Sequence, residues 1–242
     1  MKDLYDNYYE EGFSQSKSQT LDLKNFELTA KKYKWNYQRF FSSLPKNAKI
    51  LDIGCGLGQF FFYLRKEGLQ NLTGIDISQS QVDLALQMQP EVDFRKVEDT
   101  CRFLEQRQGR YDVIVLNDVV EHLELEDNIL LLKAIHNALK QYGKIIVKTV
   151  NAAFPLGSST RYADLTHKTS FHKKSLTHLL RHTGFSDIQC FSEEIGAYNL
   201  LFMMKKILVR INRMILRIMI YLAESDWQDI ISVNIISIGV KK

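Results

Sequence analysis

Proline and glycine are scarce in this chain of 242 residues, at 3 and 12. Long flexible linkers and low-complexity tracts need more of both, so neither is expected, and no internal repeat is present. Cysteine is equally thin: Cys55, Cys101 and Cys190, with no C-x-x-C spacing. An odd, scattered set does not make a disulfide framework and fits a reducing compartment. The opening residues, Met1-Lys2-Asp3-Leu4-Tyr5-Asp6, carry no apolar leader, so a cytoplasmic location is expected. No charge of one sign dominates either: 32 Lys and Arg against 28 Asp and Glu leave +4, too mild by itself to imply nucleic acid. No basic groove interleaved with aromatics is found outside one segment near the carboxyl end, so no nucleic-acid partner is expected. What is present is 45% hydrophobic content, enough at this length to bury one sizeable core.

The most informative run is Ile50-Leu51-Asp52-Ile53-Gly54-Cys55-Gly56-Leu57-Gly58. A short apolar run that breaks into Gly-x-Gly-x-Gly is a buried strand turning sharply into a helix. Glycine is needed there because a Cβ would block the turn or the approach of backbone to a ligand. The dinucleotide fingerprint is Gly-x-Gly-x-x-Gly; here its third glycine position is Gln59, and Asp52 stands ahead of the first glycine. The pattern is therefore not that of an NAD site.

From residue 48 strands and helices alternate. Strands are expected at Ala48–Ile53, Leu72–Ile75, Val92–Lys96, Tyr111–Leu116, Lys144–Val150, Phe185–Ser192 and Ile230–Val240. Helices are expected at Gln59–Glu67, Gln79–Met88, Asp127–Leu139 and Lys173–Arg181. This order predicts an α/β fold: a Rossmann-like, doubly wound, mostly parallel sheet with right-handed crossovers and helices on both faces. Ligands in such sheets sit at the carboxyl ends of the strands. Residues 1–47 lie outside this 48–242 core, and Phe26–Phe41 reads as a helix with an aromatic face.

Motif I of the class I S-adenosylmethionine (SAM) methyltransferases resembles the 50–58 run, and further pieces follow in the family's order: Asp76, Tyr111-Asp112-Val113-Ile114 and Glu121-His122. The resemblance covers about residues 48–240 and implies a seven-stranded sheet whose last strand is antiparallel, with SAM as cofactor. It assigns Asp52, Gly54, Gly56, Gly58, Asp76 and Ile77 to the cofactor. Asp76 follows the glycine turn at the spacing of a ribose acceptor, although it or Ser78 could instead cap the next helix. An acidic residue near the adenine amine matches Glu98 or Asp99, and Asn117 borders the sulfonium end. The nucleic-acid signature N/D-P-P-Y/F is missing where Asn117-Asp118-Val119-Val120 stands.

A hydroxyl acceptor needs its proton removed, and His is the usual base near neutral pH. Of the six histidines, His122, His167 and His172 fall at the cofactor end of the sheet; His122 and His167 are the catalytic candidates. Asp118, Glu121 and His122 form a D-x-x-E-H cluster that could hold Mg2+ if it lies on one helical face. The ubiquinone-pathway O-methyltransferases resemble the chain here, with Asp118 in place of their first glutamate; the other reading is a pair that caps and orients the helix. The segment Arg161-Tyr162-Ala163-Asp164-Leu165-Thr166-His167-Lys168 to Phe171 is similar to the D-x-T-H…F segment of enzymes that methylate bacterial surface polysaccharides and related lipids. It implies a wall of the acceptor pocket formed by Arg161, Asp164 and His172, with Arg161 and Lys168 suited to an anion; a solvated loop whose His caps the next helix is the alternative. Tyr5-Asp6-Asn7-Tyr8-Tyr9 resembles the opening of the same group, which implies a lid contributing Tyr8.

Leu200–Leu222, inside an insertion at about 196–226, is apolar except for Lys205, Lys206, Arg210, Asn212, Arg213 and Arg217. Lys206, Arg210, Arg213 and Arg217 step as one helical stripe. Three central arginines would cost about 8 to 10 kcal/mol in a spanning helix, so the segment fits a helix lying in a bilayer interface. A core helix or a homodimer interface with a solvated basic edge is the competing reading. The expected function is a SAM-dependent O-methyltransferase acting on a surface glycan, glycolipid or phosphorylated precursor at the inner membrane face. The alternatives are a quinone-type lipid acceptor, a phosphate or phosphoramidate substituent, or a SAM-binding regulatory partner without turnover.

Overall fold

The computed structural model of the chain describes residues 22–224 and 227–242; the residues of the expected lid at Tyr5–Tyr9, Tyr8 included, lie outside them. Strands β1 (Ile50–Ile53), β2 (Leu72–Asp76), β3 (Asp93–Lys96), β4 (Tyr111–Asn117), β5 (Leu139–Val150), β6 (Phe185–Ser192) and β7 (Asn234–Lys241) form one seven-stranded sheet in the order β3-β2-β1-β4-β5-β7-β6. β1 to β5 pair in parallel, and β7 runs antiparallel between β5 and β6. The expected mostly parallel, doubly wound sheet with an antiparallel last strand is what forms. All four β1 residues are buried, as are Val113 to Leu116 of β4, because both faces are covered.

Helices α1 (Leu23–Phe41), α2 (Gln59–Lys66) and α3 (Gln79–Met88) pack on one face through Tyr37, Phe60, Phe61, Leu64 and Val82. Helices α4 (Thr100–Glu105) and α5 (Leu125–Ala138) cover the other through Leu104, Leu132 and Ile135. A short α6 (Gly157–Ala163) follows β5, α7 (Lys173–His182) adds Leu176 and Leu180 to the second face, and α8 (Leu200–Glu224) stands between β6 and β7. Phe60 is the hinge of the first face: its ring lies 5.0 Å from that of Tyr33, 5.2 Å from Tyr37 and 5.7 Å from Phe41. The aromatic face read between Phe26 and Phe41 is thus how α1 is bound to the core.

Several boundaries differ from expectation for local reasons. β7 starts at Asn234 rather than Ile230, because the carbonyls of Ile230 and Ser232 accept from the Asn151 side chain instead of joining the ladder. β5 begins at Leu139 rather than Lys144, since Tyr142 takes a left-handed φ of 62 and the chain bends without leaving the sheet. Helix α4 was not anticipated; Asp99 caps it through Oδ1, which accepts from the Arg102 N–H at 2.9 Å.

The basic stripe of α8 faces the protein rather than water. Lys206 Nζ sits 4.2 Å from the Trp35 ring centroid, Arg213 binds Glu194 Oε1 at 2.8 Å, and Arg217 donates to the carbonyls of Gln228 and Asp229. Arg210 alone of the stripe is exposed. Leu200, Leu201, Met204, Leu208, Ile215 and Met219 point outward, each about half exposed or more. A stripe that solvates one edge is therefore not the arrangement: guanidinium groups seek carboxylates and carbonyls at close range, and that holds the helix with its oily side out. No helix among the described residues is long and apolar enough to cross a membrane.

Phe60→Ala should cost about 3–5 kcal/mol of stability, because it empties the centre of this aromatic cluster. Leu130→Ala, on the exposed side of α5, should stay within about 0.5 kcal/mol. Urea unfolding of the two variants beside wild type checks the contrast.

Candidate active site

β1 is flanked by β2 on one side and β4 on the other, so the connections from their tips diverge and leave a crevice. The glycine turn lines it. Gly54 has φ +71, and a Cβ there would lie 2.6 Å from Val119 Cγ2. Gly56, at φ +50, has only Gln81 Oε1 within reach of a Cβ, at 3.7 Å; its space opens toward the crevice. Gly58, at φ +74, is the N-cap of α2. Asp76 ties the turn: Oδ2 accepts from the Gly56 N–H at 2.9 Å and Oδ1 from the Ser78 N–H at 2.9 Å. Ser78, not Asp76, caps α3, its hydroxyl accepting from the Gln81 N–H. The next residue, Ile77, is 63% exposed at the crevice edge.

Asp52 is buried beneath the turn, and its Oδ1 has no hydrogen-bond partner among the described residues. Burial first and the charge of Asp76 second push its carboxyl well above the usual range. At the tip of β4, Asn117 Oδ1 accepts from the Tyr37 hydroxyl, while the Asn117 Nδ2 is buried and unpartnered among the described residues. Glu98 stands at the surface beside Lys96, 2.8 Å away, and Asp99 is engaged as the α4 cap. Neither carboxylate is as enclosed as Asp52 or Asp76.

Beyond β4 the D-x-x-E-H cluster does not converge. Asp118 takes a φ of 58, and Val120–His122 is a single 3-10 turn, not an α-helix, so the three side chains diverge. Asp118 pairs with the buried Lys148 at 2.5 Å. Glu121 is buried, with Oε2 accepting from the Thr149 hydroxyl at 2.9 Å, and burial together with the Asp118 charge pushes its pKa up to about 8. A carboxyl that holds its proton is a poor magnesium ligand. Asp118, Glu121 and His122 therefore do not fit a Mg2+ site.

His122 turns to a different set of partners. Its Nδ1 lies 2.8 Å from Thr166 Oγ1, and that hydroxyl donates to Asp164 Oδ1 at 2.6 Å, which also accepts from the Thr166 N–H. Burial opposes ionisation of Asp164, but the two Thr166 bonds and the nearby imidazoles outweigh it and hold its carboxyl below the usual range. A carboxylate can only accept, so the single Thr166 proton goes to Asp164 and His122 Nδ1 must be the donor to Thr166. The lone pair of His122 is then on Nε2. Burial, and after it His167, lower the His122 pKa, keeping the ring neutral. The His167 ring lies 4.8 Å from it, tilted by 57°.

Three pocket-wall assignments change. Arg161 donates to the carbonyls of His167 and Lys168; it staples the loop and does not point at an acceptor anion. His172 caps α7, its Nδ1 accepting from the Lys174 N–H and its Nε2 bonded to Gln228 at 2.7 Å. Asp164 faces the two imidazoles instead of forming an outer wall. Residues that the sequence reading passed over include Tyr37, Lys148 and Thr166. Lys148 could have been found as a lone cation in the apolar run Ile145 to Val150, which demands a partner. A cavity of about 550 Å3 also opens under α8, between Leu28, Phe154, Glu193, Tyr198, Phe202 and Arg213.

The sheet order, the antiparallel β7 and the glycine turn at the switch point are those of the class I SAM-dependent methyltransferase fold. The chain belongs to the methyltransferase domain family, whose model matches residues 27–190. It is 31% identical over 107 residues to ubiquinone biosynthesis O-methyltransferase of Pseudomonas aeruginosa, covering 43% of this chain and 44% of that protein. It is 26% identical over 156 residues to phosphoethanolamine N-methyltransferase 3 of Arabidopsis thaliana, covering 60% and 30%. The chain thus spans less than half the length of these curated relatives. A SAM-dependent methyltransferase from Archaeoglobus fulgidus has the same fold, with a TM-score of 0.67 and 22% identity over 98% of this chain and 100% of that one.

The raised Glu121 pKa makes a pH prediction. The native state keeps the Glu121 proton up to about pH 8, whereas the unfolded chain releases it near the ordinary value of about 4.3. Fewer protons on the unfolded state make stability fall as pH rises between those limits. Glu121→Gln should remove this fall. Thermal midpoints from pH 5 to 9 should be flatter for the variant than for wild type.

Proposed function

We propose that the chain is an O-methyltransferase that moves the methyl group of SAM onto a hydroxyl of a lipid-linked acceptor, a glycolipid or a quinone-type lipid. The observation that carries this reading is the Asp164–Thr166–His122 chain, which leaves the Nε2 lone pair of His122 free beyond the tip of β4. In this reading Asp76 receives two ribose hydroxyls, since each carboxylate oxygen keeps a second lone pair, and Ile77 packs against the adenine. Glu98 or Asp99 lies toward the adenine amine. Asp52, whose Oδ1 is unpartnered among the described residues, suits the ammonium of the methionine end, whose charge would favour its ionised form, and Asn117 borders the sulfonium. Gly54, Gly56 and Gly58 let the backbone approach the cofactor. The sulfonium already activates the methyl carbon, so positioning and hydroxyl activation are what the protein supplies. His122 and His167 perform that activation through their ring lone pairs.

A lipid-linked acceptor is supported by the outward apolar face of α8 and by the cavity beneath it, where apolar walls meet Lys32, Glu193 and Arg213. Docking of that face on a membrane brings such an acceptor to the cavity. A phosphate acceptor is less well supported, because Arg161 is engaged with the loop. One of the relatives is an O-methyltransferase of ubiquinone biosynthesis, which is in keeping with a quinone-type acceptor.

Asp76→Ala should weaken SAM binding about 100-fold, as two bonds to a charged group are lost; isothermal titration of wild type and variant with SAM tests it. His122→Ala should leave SAM affinity unchanged and lower turnover on a membrane-lipid extract about 10²–10⁴-fold, read as S-adenosylhomocysteine release. Undiminished turnover would remove the role given to His122. Liposome flotation tests the docking face: Leu208→Glu with Ile215→Glu should leave the protein in the soluble fraction, and equal flotation of wild type and variant would end the membrane reading.

A further inference from the structure

The two imidazoles and the carboxylate beyond β4 are placed as a ligand set. One donor atom from each of His122, Asp164 and His167 lies within 4.8 Å of the other two, the only such group of three among the described residues. Ion–ligand bonds of about 2.0–2.2 Å put neighbouring donors about 3–4 Å apart, so a contraction of about an ångström closes the set. The supporting contacts are of the kind that metal sites use. A ligating histidine usually donates its other N–H to a fixed acceptor, which sets its tautomer and aims the free nitrogen. Thr166 does this for His122 at 2.8 Å and holds Asp164 Oδ1 at 2.6 Å, leaving Asp164 Oδ2 free of that contact.

His167 supplies an independent observation. Its side chain is 10% exposed, yet its Nδ1 has no hydrogen-bond partner among the described residues. Its Nε2 stands 3.8 Å from Asp164 Oδ2, beyond hydrogen-bond reach. An enclosed imidazole nitrogen left without a partner costs stability unless something else binds it. Its ring lies 4.8 Å from that of His122, and the donor atoms of both histidines and Asp164 fall within reach of a shared ion.

We propose that His122, Asp164 and His167 bind a divalent transition ion of the zinc type, at a site that shares only His122 with the Asp118–Glu121–His122 cluster. Two imidazoles and one carboxylate are the donors that such ions prefer, whereas magnesium takes oxygen ligands and keeps its waters. Three protein ligands leave coordination positions open. The inference rests on the reading of this cluster as the hydroxyl-activating site and names its means. The ion lowers the pKa of an acceptor hydroxyl that occupies an open position. The hydroxyl proton passes to solvent, the oxygen forms its bond to the methyl carbon, and the carbon–sulfur bond breaks with its electron pair going to sulfur. S-adenosylhomocysteine, its sulfur now a neutral thioether, and the methyl ether result.

The test uses untagged full-length protein stripped with chelator and titrated with Co2+ and then Zn2+. Wild type should take up one ion per chain, with visible absorption from Co2+ that Zn2+ displaces. His167→Ala and Asp164→Ala should bind at least 100-fold more weakly, and Thr166→Val about 10–100-fold more weakly. His182→Ala, on the exposed end of α7, should bind like wild type. Circular dichroism and SAM titration confirm that each variant is folded. The absence of stoichiometric uptake by wild type, or uptake unchanged in both ligand variants, would overturn the proposal. Stripped wild type that turns over fully, while His122→Ala does not, would overturn the ion but leave the histidine pair as the hydroxyl activator.

Discussion

The chain's connections leave the tips of β1 and β4 in opposite directions, and the crevice between them cannot be filled by the chain's own backbone. Everything placed around that crevice answers this constraint. The glycine turn keeps one wall free of side chains at Gly56, and Asp76 fastens the turn to the neighbouring strand through the Gly56 amide. On the other wall Asn117 is held by Tyr37, which reaches over from α1. The aromatic packing of α1 on Phe60 is therefore part of how the site is built. A helix outside the sheet fixes a side chain at the sheet's centre.

The sheet and its order were readable because two signals coincided: short buried runs such as Ile50–Ile53 and Tyr111–Leu116, and helical periods between them. The cofactor end was readable because glycine and aspartate in that spacing have few other uses. Strand ends were less readable. Ile230 and Ser232 look like strand residues, yet their carbonyls go to Asn151, a residue far away in sequence. A contact of that kind leaves no local trace.

The acceptor end was the least legible, for a related reason. Glu121-His122 reads as a unit in the sequence, but the backbone takes a single 3-10 turn there, after a left-handed Asp118. Adjacent residues then face different neighbours: Glu121 the interior at Thr149, His122 the loop at Thr166. The partner of His122 lies in a segment more than 40 positions downstream, and only the fold brings the two together. Arg161 and His172 show the same limit from the other side. Both have the chemistry of ligand-binding residues, yet Arg161 is taken up by carbonyls of its own loop and His172 by the α7 backbone and by Gln228, far away in sequence.

Helix α8 turns Lys206, Arg213 and Arg217 toward the protein and most of its leucines, isoleucines and methionines outward. In water, contacts that cover this face are favoured by the hydrophobic effect whatever supplies them. Self-association of the purified chain would then rise with concentration and fall with detergent without any dimer interface having been selected. The hydrodynamic size of this protein is a property of its surroundings as much as of its sequence.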